Sequence, residues 1–418
     1  MKRFSFWSTF CLVCLLLTTI LDPASAQMMD KLSLTGQVRH RSEYSAKDFD
    51  ASTDNPLFSL LRTRFNVGVQ ATEDIKVFVQ FQDSRTWGGG NPNAARGTMD
   101  GSAPQFDVHQ AYFNVTNAFG SAFSATVGRQ EINVGNQRLV GAVGWHNVGR
   151  SFDAFRLGYE LKKGNLDFFA ARLIGATGIP VGDNLFGVVG TFPVNPDNSL
   201  QLLLLADNST NAISGGPDDG DNKLQRFTTG AALNGSKSQF DYELEGYFQT
   251  GHQFEASTGR LGSIGAYLAS ARFNVLVNES NGLKLGALFT LVSGDDDATD
   301  GEVKNFDTLF ATNHKFYGFM DYFVGAGTFA KGLQDIGLAA AMKANDKMSL
   351  ALDLHHFSAP QMASGLDTVL GQEVDFTLTY KYNSALNITG GLSAFLPGND
   401  FGGEDNAFWG YISTSVVF

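Results

Sequence analysis

Residues 62–70 read Arg62-Thr63-Arg64-Phe65-Asn66-Val67-Gly68-Val69-Gln70. Thr63, Phe65, Val67 and Val69 fall on one face of an extended chain, and the polar residues fall on the other, because successive side chains of a strand point to opposite sides. Residues 241–249 and 373–381 repeat this alternation. The pattern predicts a succession of β-strands, each with one apolar and one polar face.

The lengths of the connections distinguish a soluble sandwich from a membrane barrel. Short connections are predicted at 72–74, 162–165, 234–237, 278–282, 344–347 and 382–384, and long polar loops at 46–56, 88–104, 136–149, 207–222, 251–260 and 294–315. Short turns that alternate with long loops are typical of outer-membrane barrels, whereas the connections of a soluble sandwich are not expected to alternate in length.

We therefore predict an all-β fold, a transmembrane antiparallel up-and-down β-barrel of the bacterial outer membrane with about 18 strands of roughly 9–13 residues each. An even strand number places both termini on the periplasmic side. The mean hydropathy of −0.08 is compatible with this fold. The apolar residues of a barrel's lipid face alternate with polar residues along each strand, so the average over the chain is not strongly apolar.

The N-terminus has the pattern of a secretory signal peptide. Lys2 and Arg3 precede an apolar run that ends before Pro23, and Ala24-Ser25-Ala26 is a small-x-small cleavage site. Residues 1–26 are predicted to be removed, which leaves 27–418 as a single barrel domain. A membrane-anchoring helix is the alternative, but the run is short for a span. Both cysteines lie in the removed segment, so the mature barrel uses no disulfide.

The last strand is predicted at residues 407–418. Ile412, Val416 and Phe418 share one face, and Ser413 and Ser415 share the other. A terminal Phe on an amphipathic strand is the usual signal for the outer-membrane barrel-insertion machinery. This strand must pair with residues 32–44 to close the wall, with Phe418 facing lipid.

Arginines are concentrated in the N-terminal half. Arg39 shares a strand face with Arg41, and Arg62 with Arg64; further along follow Arg85, Arg129, Arg138, Arg150, Arg156 and Arg172. An Arg facing lipid at mid-membrane costs about 2–4 kcal/mol, so these side chains are expected to face the lumen. There they would form a positive wall that binds carboxylates or phosphates.

Acids that alternation also turns inward occur later in the chain, namely Asp241, Glu243, Glu245, Asp353, Glu373 and Asp375. The alternative to a role in pore selectivity is that arginines and acids pair and brace the wall. The net charge of −12 argues against a nucleic-acid partner.

Two acidic loops could ligate calcium through oxygen, at 217–222 and at Asp295, Asp297 and Asp300. Neither has the EF-hand spacing, and a solvated extracellular loop is the alternative; no other cofactor is expected. The seven histidines are scattered, and His355 and His356, being adjacent on a strand, point to opposite faces. No nucleophile elbow, His-Glu-x-x-His or phosphate loop is present, so an enzyme is not expected.

One stretch resembles a known family. Val127-Gly128-Arg129-Gln130, Gly135-Asn136-Gln137-Arg138-Leu139-Val140-Gly141, Trp145-His146-Asn147 and Arg150-Ser151-Phe152-Asp153 look like the bacterial alginate export family. Weaker similarity continues through Ser293-Gly294-Asp295, His314-Lys315-Phe316-Tyr317-Gly318 and Gly371-Gln372-Glu373-Val374-Asp375, and it spans almost the whole mature chain.

The resemblance implies an 18-stranded monomeric barrel whose arginine-lined lumen passes an anionic polysaccharide and is partly gated by loops. The family's basic lining would carry over to Arg129, Arg138 and Arg150, and Asp153 in the same stretch is also predicted to line the pore. Alternation alone extends the predicted pore lining to Arg39, Arg62, Arg64, Arg156, Arg172, Glu243, Glu373 and Asp375. The inward acids are a departure from the family.

The leading hypothesis is thus a passive outer-membrane channel for an anionic oligo- or polysaccharide or a smaller anionic solute, in contact with outer-membrane lipid and lipopolysaccharide. A structural or adhesion barrel plugged by its loops is the second hypothesis, and a barrel enzyme is the third. Conductance, and whether 136–149 or 294–315 folds into the lumen, would discriminate the first two.

Overall fold

The computed structural model describes residues 31–88, 106–173, 183–209, 224–255, 259–324, 329–362 and 365–418. The predicted signal peptide and the acidic segment 217–222 lie outside these residues. In the described parts of the chain, no helix is long and apolar enough to cross a membrane. The helical elements described are two short 3₁₀ turns, Ala118–Gly120 and Asn313–Lys315.

Nineteen strands of the described chain form one sheet. Their bounds are β1 Leu32–Ala46, β2 Leu57–Gln70, β3 Ile75–Thr86, β4 Phe106–Val115, β5 Phe123–Gln130, β6 Phe152–Leu161, β7 Gly164–Arg172, β8 Asn184–Asn195, β9 Asn198–Ser209, β10 Leu224–Lys237, β11 Phe240–Glu255, β12 Arg260–Asn278, β13 Leu283–Val292, β14 Glu302–Val303, β15 Leu333–Asn345, β16 Met348–Ser358, β17 Val369–Lys381, β18 Leu386–Pro397 and β19 Ala407–Val417.

Eighteen of these strands form a closed antiparallel barrel, as predicted. β1 pairs with both β2 and β19, so the sheet has no free edge. The remaining strand, β14, has two residues and pairs in parallel with β12. Closure is the physical requirement here, because backbone groups at a sheet edge would find no hydrogen-bond partner in lipid.

The two faces of the wall follow the alternation read from the sequence. On β2, Phe65 is 41% exposed on the outside, whereas Arg62 is 4% exposed on the inside. Phe113, Phe289 and Leu392 are among the many large apolar side chains exposed on the outer face. The prediction of an apolar lipid face is confirmed.

Connection lengths alternate as predicted, but two details differ. The eighteen barrel strands span 8 residues (β5) to 19 residues (β12), a wider range than expected. The predicted loop 251–260 is largely strand, because β11 extends to Glu255 and β12 begins at Arg260. Polar residues at a loop boundary can still pair as a hairpin beyond the membrane, and polarity alone does not mark the end of a strand.

Two long connections fold into the barrel instead of lying over it. Loop A comprises residues 131–151 between β5 and β6, and loop B comprises residues 293–332 between β13 and β15. Both were predicted as polar loops, yet Leu139 of loop A and Phe306 and Tyr317 of loop B are at most 2% exposed. They belong to one buried apolar cluster that also includes wall residues such as Leu205 and Phe395. The inner face of the wall is therefore apolar where the loops pack on it.

Backbone hydrogen bonds join the two loops. Gly141 N donates to Phe310 O at 2.9 Å, and Phe310 N donates to Leu139 O at 2.8 Å. Thr312 N donates to Gln137 O at 3.0 Å, and Val140 and Phe310 form a parallel bridge. These bonds satisfy main-chain groups that would otherwise be buried unpaired, so loops A and B form one body within the lumen.

The seam between the first and last strands closes as predicted. Gly36 N donates to Phe418 O at 2.7 Å, and Phe418 N donates to Gly36 O at 3.1 Å. The Phe418 ring, 62% exposed on the outside, covers Gly36. A Cβ at position 36 would lie 2.4 Å from this ring and 2.9 Å from Arg64 O. Position 36 thus needs glycine for Phe418 to pack across the seam.

We predict that Gly36→Ala destabilises the folded barrel by about 1–3 kcal/mol, because the added methyl group overpacks the seam. Gly68→Ala is the matched control on β2, since the nearest atom to its Cβ would be Ser33 Cβ at an ordinary 3.5 Å. Urea unfolding in lipid vesicles, followed by heat-dependent gel mobility, measures both variants. Equal stability of the two variants would contradict the role assigned to Gly36.

Candidate functional site

Four arginines form a compact basic patch on the inner face of β1 and β2. Arg39 lies directly opposite Arg62 across the two strands, and Arg64 lies opposite Gln37. Arg39, Arg41 and Arg62 are each at most 9% exposed. Like charges facing each other on adjacent strands repel, so this patch requires compensating acceptors.

Loop A supplies those acceptors from its main chain. Arg39 donates to Gly144 O at 2.8 Å, to Trp145 O at 3.1 Å and to His146 O at 3.2 Å. Arg62 donates to the carbonyls of Gly144 and His146, each at 3.2 Å. Three consecutive carbonyls therefore point at two guanidinium groups. The patch, which we call the arginine patch (Arg39, Arg41, Arg62 and Arg64), holds loop A against the wall.

Arg41 joins the patch to loop A through an aromatic ring. Its guanidinium lies 3.9 Å from the centroid of the Trp145 ring and donates to Trp145 O at 2.7 Å. It also forms an ion pair with Glu43 at 2.6 Å. This contact combines a cation–π interaction with a charge-assisted hydrogen bond, both strengthened by burial.

Arg64 links the patch to a second polar group. It donates to Gln82 at 2.7 Å and to Glu131 at 3.2 Å, and its other terminal nitrogen lies 3.0 Å from His109 Nε2. His109 in turn lies 2.8 Å from Glu131. Glu131 is the first residue of loop A, so this cluster fixes the point where loop A leaves the wall.

The charge of the patch also affects the histidine that loop A inserts beside it. Burial lowers the pKa of the His146 imidazole, and the nearby Arg41, Arg39, Arg150 and Arg62 lower it further. His146 is therefore neutral over a wider pH range than an ordinary histidine. A neutral ring adds no positive charge to the patch.

Arg138 anchors the opposite end of loop A. It donates to Glu245 at 3.0 Å and to Ser270 at 3.0 Å, and its guanidinium lies 3.7 Å from the Phe316 ring centroid. Glu243, also inward, accepts a hydrogen bond from Asn136. Both predicted residues thus lie in the lumen, where they connect loop A to β11.

Arg150 connects the two loops and borders a cavity. It donates to the main-chain carbonyls of Phe310, Ala311 and Gly141. The adjoining cavity, of about 280 Å³, is also lined by Asp207 and Asp307. Both of these acids are paired with Arg226, at 3.2 and 2.9 Å. The cavity is therefore bordered by both charges and by apolar rings.

An acidic wall holds loop B as the arginine patch holds loop A. Glu373 accepts from Met320 N at 2.8 Å, and Asp375 accepts from Phe319 N at 3.2 Å. Gly318 has φ +79°, and a Cβ there would lie 2.5 Å from a Glu373 oxygen, so only glycine allows this approach. The carboxylates of β17 thereby bind the main-chain amides of loop B.

Several other inward acids are paired within the wall. His355 Nδ1 lies 3.0 Å from both oxygens of Asp335, and Asp241 is paired with Lys284. Arg156 and Asp167 form an ion pair on the inner face of β6 and β7, where the Arg156 side chain remains 36% exposed. His356 lies on the outer face, opposite to His355, as predicted.

Four predicted lumen residues face outward, and their assignment to the pore was wrong. Arg129, Asp153 and Arg172 are cross-strand neighbours on β5, β6 and β7, on the same face as the exposed Phe155. Arg85 lies outside on β3, beside Asp83. All four are near the ends of their strands, where an outward Arg costs only about 0–1 kcal/mol. The mid-membrane penalty used in the prediction does not apply there.

The acids of the predicted calcium site bind other groups. Asp296 and Asp300 pair with Lys304 at 2.8 and 3.0 Å, and Asp297 accepts from Thr299. Asp295 caps the Asp297 amide at 3.1 Å. Among the described residues, no three His, Cys, Asp or Glu side chains are grouped closely enough to hold a metal. Calcium at Asp295, Asp297 and Asp300 stays a prediction.

Sequence reasoning missed the acceptors of the arginine patch. These acceptors are the main-chain carbonyls of Gly144, Trp145 and His146. Every residue has such a carbonyl, so no sequence signal could have identified these three. Arg226, by contrast, lies one residue before the outward Phe227 on β10. Alternation alone would have placed it in the lumen.

Solved structures with a similar fold are outer-membrane proteins of Pseudomonas aeruginosa. OccK8 (OprE) matches with a TM-score of 0.64 at 13% identity, over 94% of this chain and 99% of that one. OccK11 (OpdR) matches with a TM-score of 0.59 at 13% identity, over 94% and 96%. OpdK, in a structure with vanillate, matches with a TM-score of 0.58 at 11% identity, over 92% and 98%. These likenesses show the fold.

No curated protein matches the sequence. The model of a family described as alginate export matches residues 30–413, which is nearly the whole barrel. Together with the closed barrel of eighteen strands, this match places the chain in the outer membrane as a channel-type barrel. The chain belongs to the alginate export family.

Proposed function

We propose that this outer-membrane channel passes anionic solutes, acidic mono- and oligosaccharides among them, by passive diffusion. The arginine patch is the observation that carries the proposal, because four guanidinium groups line one stretch of the lumen wall. The family description names alginate, and one similar structure was solved with vanillate; both are carboxylates. Carboxylates are the ligands that guanidinium groups bind in a bidentate manner.

The main-chain acceptors bound to the arginine patch are neutral, so an anion can displace them. Arg39 and Arg62 bind carbonyl oxygens of loop A, and a hydrogen bond to a charged carboxylate is roughly twice as strong as one to a neutral acceptor. A carboxylate solute can therefore replace loop A carbonyls at the patch. Loops A and B pack inside the barrel, and this packing favours small or extended solutes over a bulky polymer.

Strand β17, three strands from β1 around the barrel, has a complementary part. Glu373 and Asp375 accept hydrogen bonds from loop B amides and are at most 1% exposed, so they do not contact the solute. The arginine patch is then the charged surface that a solute can reach by displacing loop A carbonyls. A monomeric barrel without catalytic groups is sufficient for this activity, and we expect lipase and protease assays on the purified protein to be negative.

Arg156→Glu is predicted to shift the reversal potential toward cation permeability, because it places a second acid beside Asp167 in the lumen. Arg129→Glu is the matched control. Both arginines are paired with an aspartate, and both side chains are 36% exposed, but Arg129 faces outward. Planar bilayers under a salt gradient measure both variants. Equal shifts, or no shift for Arg156→Glu, would count against a selective lumen.

A loop-plugged barrel without transport is the second candidate, and the packing of loops A and B inside the barrel favours it. In that case the wild-type protein does not conduct. A channel, in contrast, conducts at rest, and its conductance depends on how firmly loop A is held.

The double substitution Arg39→Gln and Arg62→Gln is predicted to loosen loop A, since each buried carbonyl left without a donor costs about 1–3 kcal/mol. Conductance should rise, and trypsin should cut after Arg138 or Arg150 in loop A. Arg156→Gln is the control, because Arg156 lies in the lumen but binds Asp167 and not loop A. Unchanged conductance and protease resistance in the double variant would refute the role of the patch.

A further inference from the structure

The three outward residues Arg129, Asp153 and Arg172 are part of a polar row. Cross-strand pairing aligns it over five strands, β5 to β9, in the order Arg129, Asp153, Arg172, Asn184 and Asn208. The long loops follow β5, β7 and β9 at this end, so the row lies toward the extracellular side, at the level of the outer-leaflet headgroups.

An apolar groove lies directly below the polar row. In the next outward row, Ala170 lies between Phe155 and Phe186, each of which is 45% exposed. The small side chain of Ala170 leaves a gap between the two rings. The groove of about 290 Å³ continues down past Phe168 and Leu204, with almost entirely apolar walls. Two residues along a strand span about 6.8 Å, so the groove begins one such step below the charges.

The charges above the groove favour an anion. Arg129 donates to both oxygens of Asp153, at 2.8 and 2.9 Å. An arginine has five N–H donors, so three on Arg129 remain for another acceptor. Arg172 lies on the other side of Asp153 by register and donates to Asn184 at 3.4 Å. Two guanidinium groups and one carboxylate leave the triad with a net positive charge.

We propose that the outer face of β5 to β9 binds one phosphorylated lipid of the outer leaflet, that is, a lipid A molecule. Its phosphate is bound by Arg129 and Arg172, and one acyl chain lies in the groove over Ala170. Guanidinium groups bind phosphate in a bidentate manner, and an acyl chain matches the apolar walls. The polar row lies at the level of the lipid headgroups, and the groove lies below it at the level of the acyl chains. The site is independent of what the lumen passes.

Native mass spectrometry of the detergent-solubilised barrel, titrated with lipid A, tests this site. The wild-type protein should retain one lipid A more tightly than the others, and chemically dephosphorylated lipid A should bind at least roughly tenfold more weakly, because charge-assisted hydrogen bonds are lost. Inorganic phosphate at millimolar concentration should not displace the lipid. Equal binding of the dephosphorylated lipid, or complete displacement by phosphate, would overturn the proposal without any variant.

Two variants separate the parts of the site. Arg129→Gln with Arg172→Gln removes the phosphate contacts, and Ala170→Leu fills the groove; each should weaken lipid A binding by roughly tenfold. Arg85→Gln is the matched control, because Arg85 is also an outward arginine beside an aspartate but lies on β3, away from the groove. Heat-dependent gel mobility confirms folding. Retention of lipid A by both site variants, or an equal loss in Arg85→Gln, would contradict the proposed site.

Discussion

The arginine patch on β1 and β2 is the interaction on which the interior of this barrel depends. Arg39 and Arg62 face each other across two strands, and their repulsion is relieved by carbonyls that loop A brings to them. Without loop A these guanidinium groups would lose their main-chain acceptors, and Arg62 would keep only Gln37, at 2.8 Å. Without the patch, loop A would lose its hold on the wall. Loop B depends on loop A in turn, because backbone hydrogen bonds join the two at Gly141 and Phe310.

Charged side chains of both signs thus hold the main chain of the two loops in the lumen, the positive ones at carbonyl groups and the negative ones at amide groups. Arginines of one wall bind the carbonyls of loop A, and the carboxylates Glu373 and Asp375 of another wall bind the amides of loop B. Charged side chains in a low-dielectric interior are stable only with such partners. The charges therefore serve both structure and selectivity, and the bracing role considered from the sequence is compatible with the channel.

Much of the fold could be predicted from sequence, because every strand of a barrel has the same alternation of lipid-facing and lumen-facing residues. The alternation of polar and apolar residues predicted the inner position of Arg62 and the outer position of Phe65. The alternation of short and long connections predicted the barrel class. The site was less predictable. Arg129 and Arg172 were assigned to the lumen from a uniform membrane penalty, and Arg129 also from the family resemblance. Both lie at the ends of their strands, where that penalty is small. The acceptors of the arginine patch are main-chain atoms, and the apolar core of loops A and B exists only through their mutual packing.

We propose that Arg39 and Arg62 are the charges of the lumen that attract an anion, because their acceptors are neutral. These acceptors are the carbonyls of Gly144, Trp145 and His146 and the side chain of Gln37, whereas Arg41 and Arg64 are paired with Glu43 and Glu131. The reversal potential of the wild-type protein in a planar bilayer under a potassium chloride gradient tests this claim most directly. We predict that chloride is more permeant than potassium. A potassium-selective pore, or a barrel that never conducts, would contradict it.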